Sequence, residues 1–219
     1  MRRTLFIHCS PHGEAAHGYR LAREILDQPR RCGDAATVIE RDLTAAPLPP
    51  LSGDYATALT GDTAADDARF AMSESLIAEL EHSDRLLISL PMHNFTVPAA
   101  FKLWIDYVVR IHRSFAATED GKVGLLADRA TTILVSSGGF HHGERAFQLD
   151  FLSPYVEHVL ATIGIHDVAF HYLQGLTFGE AAVSAAVDAA RDRLKAAGLL
   201  AAGGKCRTPM RPDAIDLHS

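Results

Sequence analysis

A run of mostly apolar residues, Arg85-Leu86-Leu87-Ile88-Ser89-Leu90, stops at Pro91 and is followed after a four-residue gap by a segment apolar on nearly every side. Proline cannot continue a strand ladder and pushes the residue before it into extended geometry, so a strand ends here. Met92 to Phe95 then form a short loop, with Thr96 read as the N-cap of a helix and Pro98 as part of its first turn. The helix carries Phe101, Leu103, Trp104, Ile105, Tyr107, Val108, Val109 and Ile111. A helix like that is buried on several faces, in a core or in a subunit interface.

Other strands fall into place around this one. Residues 4–9 (TLFIHC), 36–41 (ATVIER), 131–135 (TTILV) and 168–173 (VAFHYL) read as strands. Helical patterns cover about 18–27, 64–82, 145–163 (with Pro154 at its start or at a kink) and 180–200, the last closed by Gly203-Gly204. Asp42–Gly61 holds three prolines and two glycines and reads as a long irregular piece. Asp120-Gly121 marks a tight hairpin that returns at 123–126. Strands alternating with helices imply a parallel sheet with helices on both faces, and five strands suit the α/β, flavodoxin-like doubly wound order. One domain over 1–204 and a frayed tail over 205–219 follow from this pattern.

Composition removes several function classes. A net charge of -6 argues against a nucleic-acid partner, whose phosphates need clustered Lys and Arg. No segment reaches membrane-spanning length, and the short apolar run at the N-terminus is too brief for a signal-peptide core. Cys9, Cys32 and Cys206 are widely spaced and form no metal or redox pair, which fits reduced thiols in the cytoplasm. Among the 12 histidines, His8, His12 and His17 lie close together, but none belongs to a metal-binding pattern, so no metal is expected.

Three loops leave the C-ends of the first, third and fourth strands: Ser10–Gly18, Pro91–Phe95 and Ser136–Gly139. In a doubly wound sheet such ends lie side by side, where ligands bind. The first loop precedes a helix N-terminus, whose free N–H groups attract phosphate; Ser10, Ala16, His17 and Gly18 are its candidates. Neither GxGxxG nor GxxxxGK[ST] is present, which weighs against dinucleotide and P-loop readings. Met92, His93, Asn94 and Phe95 offer an amide, an imidazole and an aromatic ring suited to a flat, heteroatom-rich ligand, although Asn94 also reads as an ordinary helix cap. Ser136, Ser137, Gly138 and Gly139 allow close backbone approach to a ligand, or form a plain strand-end turn.

The stretch Pro91–Arg110, PMHNFTVPAAFKLWIDYVVR, resembles the flavin-ring loop and following helix of the FMN-dependent NADH-azoreductase / NADH:quinone oxidoreductase family. Members show Pro-Met-Tyr-Asn-Phe and then a Lys-x-x-x-Asp helix; here these are Pro91, Met92, His93, Asn94, Phe95, Lys102 and Asp106, with His93 in place of Tyr. The likeness extends to Arg41-Asp42-Leu43 and Ile163-Gly164-Ile165. It implies FMN as cofactor, NADH or NADPH as hydride donor, a quinone or azo acceptor, and a homodimer with flavin sites at its interface. It further implies that Met92, Asn94 and Phe95 meet the ring, that His93 lies near the reactive face, that Ser10, His17 and Gly18 meet the phosphate, and that Ser136–Gly139 line the ring edge. Ala16-His17-Gly18 replaces the family's Ser-x-Ser, and Ala116-Ala117 and Ala161-Thr162 stand where members carry aromatics, so the wall above the flavin is more open. Two rival readings are an electron carrier without hydride chemistry and a non-catalytic regulator with a degenerate flavin site. The buried helix and the long 42–61 piece favour a dimeric enzyme over the electron carrier.

Overall fold

Apolar strands that must be covered on both faces force helices onto both sides of the sheet. A computed structural model describes residues 2–31 and 36–201; Cys32, Gly33, Gly203-Gly204 and the 205–219 tail lie outside the described residues. In chain order the elements are β1 (Arg2–His8), α1 (His17–Arg31), β2 (Ala36–Asp42), α2 (Gly53–Thr60), α3 (Ala71–Glu81), β3 (Arg85–Pro91), α4 (Ala99–Val108), β4 (Phe115–Thr118), β5 (Gly121–Gly124), β6 (Thr131–Ser136), α5 (Ser153–Thr162), β7 (Val168–Leu173) and α6 (Glu180–Ala196). Five parallel strands run in the order β2-β1-β3-β6-β7, while β4 and β5 form a separate antiparallel hairpin.

Side chains alternate along each strand and so feed two cores. Phe6, Leu87, Leu134 and Leu173 face α1 and α6, where Leu21, Leu26, Ala190 and Leu194 meet them. Leu5, Ile7, Leu86, Ile88, Ile133 and Val135 face the opposite layer, built on α3, α4 and α5. In α4, Phe101 and Trp104 are fully buried and stack at 5.2 Å. Most of this helix is thus buried in the core of the chain itself, with Leu103 and Val109 only partly covered.

Five sequence expectations are corrected. The irregular 42–61 piece contains α2, started by Ser52, whose hydroxyl accepts from Tyr55 N at 3.1 Å; the prolines just before it obscure an eight-residue helix. The helix expected over 64–82 begins at Ala71, after a single 3-10 turn at Ala68–Phe70. Thr96 is not a cap: α4 starts at Ala99 with Pro98 as N-cap, and Thr96 instead exchanges two backbone hydrogen bonds with His93 (3.0 and 3.1 Å). The helix expected over 145–163 starts only at Ser153, because Pro154 fits a first turn and Asp150 Oδ1 accepts from Leu152 N and Ser153 N (both 2.9 Å). Residues 140–152 are therefore a loop. Helix α6 ends at Ala196, where Gly198 at φ +72° stops it short of Leu200.

Candidate functional site

At the C-terminal edge of the sheet, Pro91 pairs with Ser136 in register and Met92 N donates to Ser136 O at 2.8 Å. The three loops singled out in the sequence meet here around a cleft of about 550 Å³, within the range of small-molecule sites (~300–1,000 Å³). One wall is the start of α1. Arg20 N is the first to bond back along the helix, to Ala16 O at 3.0 Å, so the N–H groups of His17, Gly18 and Tyr19 have no partner in the helix. Ser10 lies buried beside them. Helix α1 is held there by Tyr19, whose hydroxyl donates to Glu40 at 3.3 Å, next to His8 Nε2 at 3.1 Å from the same oxygen. A Cβ on Gly18 would sit 2.6 Å from Ser89 Oγ and 2.9 Å from Ser136 Oγ. A side chain here would have to displace both hydroxyls, so Gly18 packs against the strand tips beneath the cradle rather than lining it.

The second wall is the loop after β3. Asn94 and Phe95 both have positive φ (47° and 73°), and His93 bridges to Thr96 across them. Two successive positive φ values between paired residues make a tight turn of the primed type. Asparagine tolerates this region because its short amide can bond locally, whereas most residues pay about 1–2 kcal/mol. Asn94 is therefore a turn residue and not a helix cap. His93, Asn94 and Phe95 are exposed, and Phe95 retains 50% of its accessible surface.

Ser136, Ser137 and Gly138 form the third wall. Ser137 Oγ donates to Gly139 O at 2.9 Å, and Thr177 Oγ1 donates to Gly138 O at 2.9 Å, fixing the turn from two sides. Behind it, the 140–152 loop is anchored at both ends. Gln174 Oε1 accepts from His141 N (2.8 Å) and His142 N (2.9 Å), and Phe151 N donates to Phe95 O (3.1 Å). His141 Nδ1 lies 3.2 Å from Asp150 Oδ2. Burial pushes the His141 imidazole below its ordinary range despite the attraction of Asp150. Burial alone would raise Asp150, but hydrogen bonds from Ser153 and His141 outweigh it and hold the carboxyl low. A neutral ring donating to an ionised carboxylate follows, and His141 Nε2 is left buried without a partner.

Of the twelve residues expected from the sequence, Ser10, Ala16, His17, Met92, His93, Ser136, Ser137 and Gly138 line the cleft. Gly18 packs beneath it, Asn94 and Phe95 form the turn at its rim, and Gly139 lies against the side chains of Phe147 and Gln148. Ser89, Leu176 and Thr177 also line it and were not foreseen. A hydroxyl inside the apolar run 86–90 and a glycine-bracketed loop after the fifth strand (Gly175–Gly179) were the available signals. A wider groove of about 660 Å³ continues past His17 and Thr177 along α6. Its cation, Arg191, is already paired with Glu24 and Asp188 (2.9 and 2.8 Å), so the groove offers an anion little. Among the described residues no three His, Cys, Asp or Glu side chains cluster as a metal site, and no helix is long and apolar enough to cross a membrane.

The family model of a flavodoxin-like fold matches residues 2–197. A protein of Pseudomonas fluorescens named FMN-dependent NADH:quinone oxidoreductase 4 is 57% identical over 194 residues, covering 89% of this chain and 94% of that protein. FMN-dependent NADH:quinone oxidoreductase 5 of Burkholderia lata is 52% identical over 201 residues, covering 92% and 97%. Among solved structures, an azoreductase from Bacillus anthracis superposes with a TM-score of 0.77 at 21% identity, over 91% of this chain and 99% of that one, a likeness of fold. With its sheet order, its cleft and relatives matched at more than half of their residues, the chain belongs to the flavodoxin-like family of the FMN-dependent NADH:quinone oxidoreductases.

Proposed function

We propose that this protein is an FMN-dependent oxidoreductase that takes a hydride from NADH and delivers it to a quinone or an azo compound. The observation that carries the reading is the joining, in one cleft, of an open helix N-terminus and two strand-end turns, in a chain whose relatives bear that activity in their names. The residues fit the cofactor's two ends. The first-turn N–H groups of α1 and the Ser10 hydroxyl suit a phosphate dianion, with the helix dipole adding to the attraction. Backbone groups then do what hydroxyls do in members with Ser-x-Ser, so Ala16 and Gly18 do not by themselves abolish the site. Met92, the Asn94 amide and the Ser136–Gly138 backbone suit the heteroatom edge and flank of a flat ring. When bound, the flavin supplies two-electron redox chemistry, so the protein needs to orient and shield rather than to provide an acid–base triad.

We further propose a homodimer acting in the cytoplasm. Val123 and Leu125 on the hairpin, each 51% exposed, support a subunit contact, and the buried thiol of Cys9 fits a reducing compartment. The test is steady-state turnover of the flavin-loaded protein with NADH against a naphthoquinone and an azo dye, with sedimentation run on the same sample. Catalytic oxidation of NADH dependent on either acceptor is the expected outcome. A flavin that NADH leaves oxidised would instead favour an electron carrier.

A further inference from the structure

Large apolar side chains are exposed on the 140–152 loop and at Phe95, whose carbonyl accepts from Phe151 N. Phe147 keeps 69% of its surface exposed, Leu149 68%, Phe151 54% and Phe95 50%. Scattered exposed apolar residues are ordinary, but an exposed aromatic ring packed against a turn next to a ligand cleft offers a binding surface. Phe147 is the member that reaches back to the site. Its ring tip, Cζ, lies 3.3 Å from where a Cβ on Gly139 would be, and its ring meets Phe140 edge-on at 6.3 Å. The next residue, Gln148, donates through Nε2 to Met92 Sδ at 3.5 Å and sets its Oε1 against Gly139. One dipeptide thus touches both strand-end turns.

The loop that carries it is fixed in place. Phe147 N and Gln148 N both donate to Phe140 O (3.1 and 3.3 Å), and Gln174 and the His141–Asp150 pair tie down the flanks. An aromatic ring on a held backbone loses little freedom when it stacks on a ligand.

We propose that Phe147 is a specificity-determining residue for the electron acceptor, forming the wall against which a planar quinone or azo compound stacks, with Gln148 setting its distance from the cleft. This rests on the oxidoreductase reading above. The exposed ring of Phe147 lies against Gly139, the residue after Gly138 of the cleft wall, and an aromatic face there suits a flat apolar acceptor.

The experiment compares the flavin-loaded wild type with Phe147→Ala and Phe147→Tyr, measuring FMN affinity, the rate of flavin reduction by NADH and kcat/KM for a naphthoquinone and for ferricyanide, a non-stacking acceptor. Phe147→Ala should lower kcat/KM for the naphthoquinone about tenfold through KM, leaving ferricyanide turnover, NADH reduction and FMN affinity unchanged; Phe147→Tyr should restore it. Sedimentation and melting temperature of the variants should match wild type, since the side chain is mostly outside the core. Equal naphthoquinone kinetics in all three proteins would overturn the proposal. So would a loss confined to NADH reduction, which would make the wall a nucleotide contact, or a shift to smaller species, which would make it a subunit contact. A wild type that binds FMN yet is not reduced by NADH would overturn the oxidoreductase reading and this one with it.

Discussion

Asn94 is the residue at which backbone geometry and ligand chemistry can be separated. Its φ of 47° is one that asparagine and glycine accept and alanine resists. Asn94→Gly removes the amide without straining the turn, whereas Asn94→Ala removes it and strains the turn. Both should weaken FMN binding about tenfold, the worth of one hydrogen bond to a ring heteroatom. Only the alanine variant should also lose about 1 kcal/mol of stability in the flavin-free protein. Urea unfolding of the apo-proteins beside fluorescence titration with FMN checks both. An Asn94→Gly variant that binds FMN as wild type does would take the amide out of the site. The sequence leaves Asn94 open between cap and ligand contact, because a cap and a primed turn favour the same residue type; Pro98 as the N-cap removes the first of these.

Among the elements, the hairpin and the C-end of α5 interlock through two glycines. A Cβ on Gly124 would lie 2.1 Å from Gly164 N, and one on Gly164 would lie 2.4 Å from Leu126 O, at a φ of +102°. These are backbone atoms, so neither clash can be relieved by turning a side chain. Gly124→Ala and Gly164→Ala should each destabilise the protein by about 2 kcal/mol or more, read from urea midpoints. Values within about 0.5 kcal/mol of wild type, the range of neutral surface changes, would contradict the close packing. Elements built on long apolar runs were legible in the sequence: β3 and β7 fall where Leu86–Leu90 and Val168–Leu173 put them. Short or conditional elements were not. Helix α2 is eight residues long and sits behind three prolines, and the 140–152 loop carries enough Phe and Leu to imitate a helix. Those apolar residues are spent on the rim of the cleft instead, so Phe147 and Gln148 escaped notice. Thr177 is not legible because its loop follows the edge strand β7, apart from the loops after β1, β3 and β6.

Across the whole molecule, two buried imidazoles couple folding to pH. Burial, and then the charge of Arg193, hold His171 below the ordinary value of 6.5; burial does the same for His141 against the pull of Asp150. The unfolded chain therefore binds more protons than the folded one just below that value, and stability rises with pH through this window. Their contribution is full above about pH 6.5 and is lost as pH falls below it. Urea midpoints should thus be lower at pH 5.5 than at pH 7.5, and His171→Gln should flatten the difference. A midpoint independent of pH over that range would contradict the burial of both rings. At the sheet edge, where α1, the β3 turn and the β6 turn converge, the proposed arrangement sets the phosphate of FMN at the start of α1 and its ring between the two turns. The measurement that addresses this most directly is titration of the apo-protein with FMN, riboflavin and FAD. One FMN should bind per chain, with riboflavin, which lacks the phosphate, bound about a hundredfold more weakly through loss of its charge-assisted hydrogen bonds. FAD, whose second phosphate and adenosine have no fingerprint loop to receive them, should bind more weakly than FMN. Equal affinity for FMN and riboflavin, or preference for FAD, would contradict it.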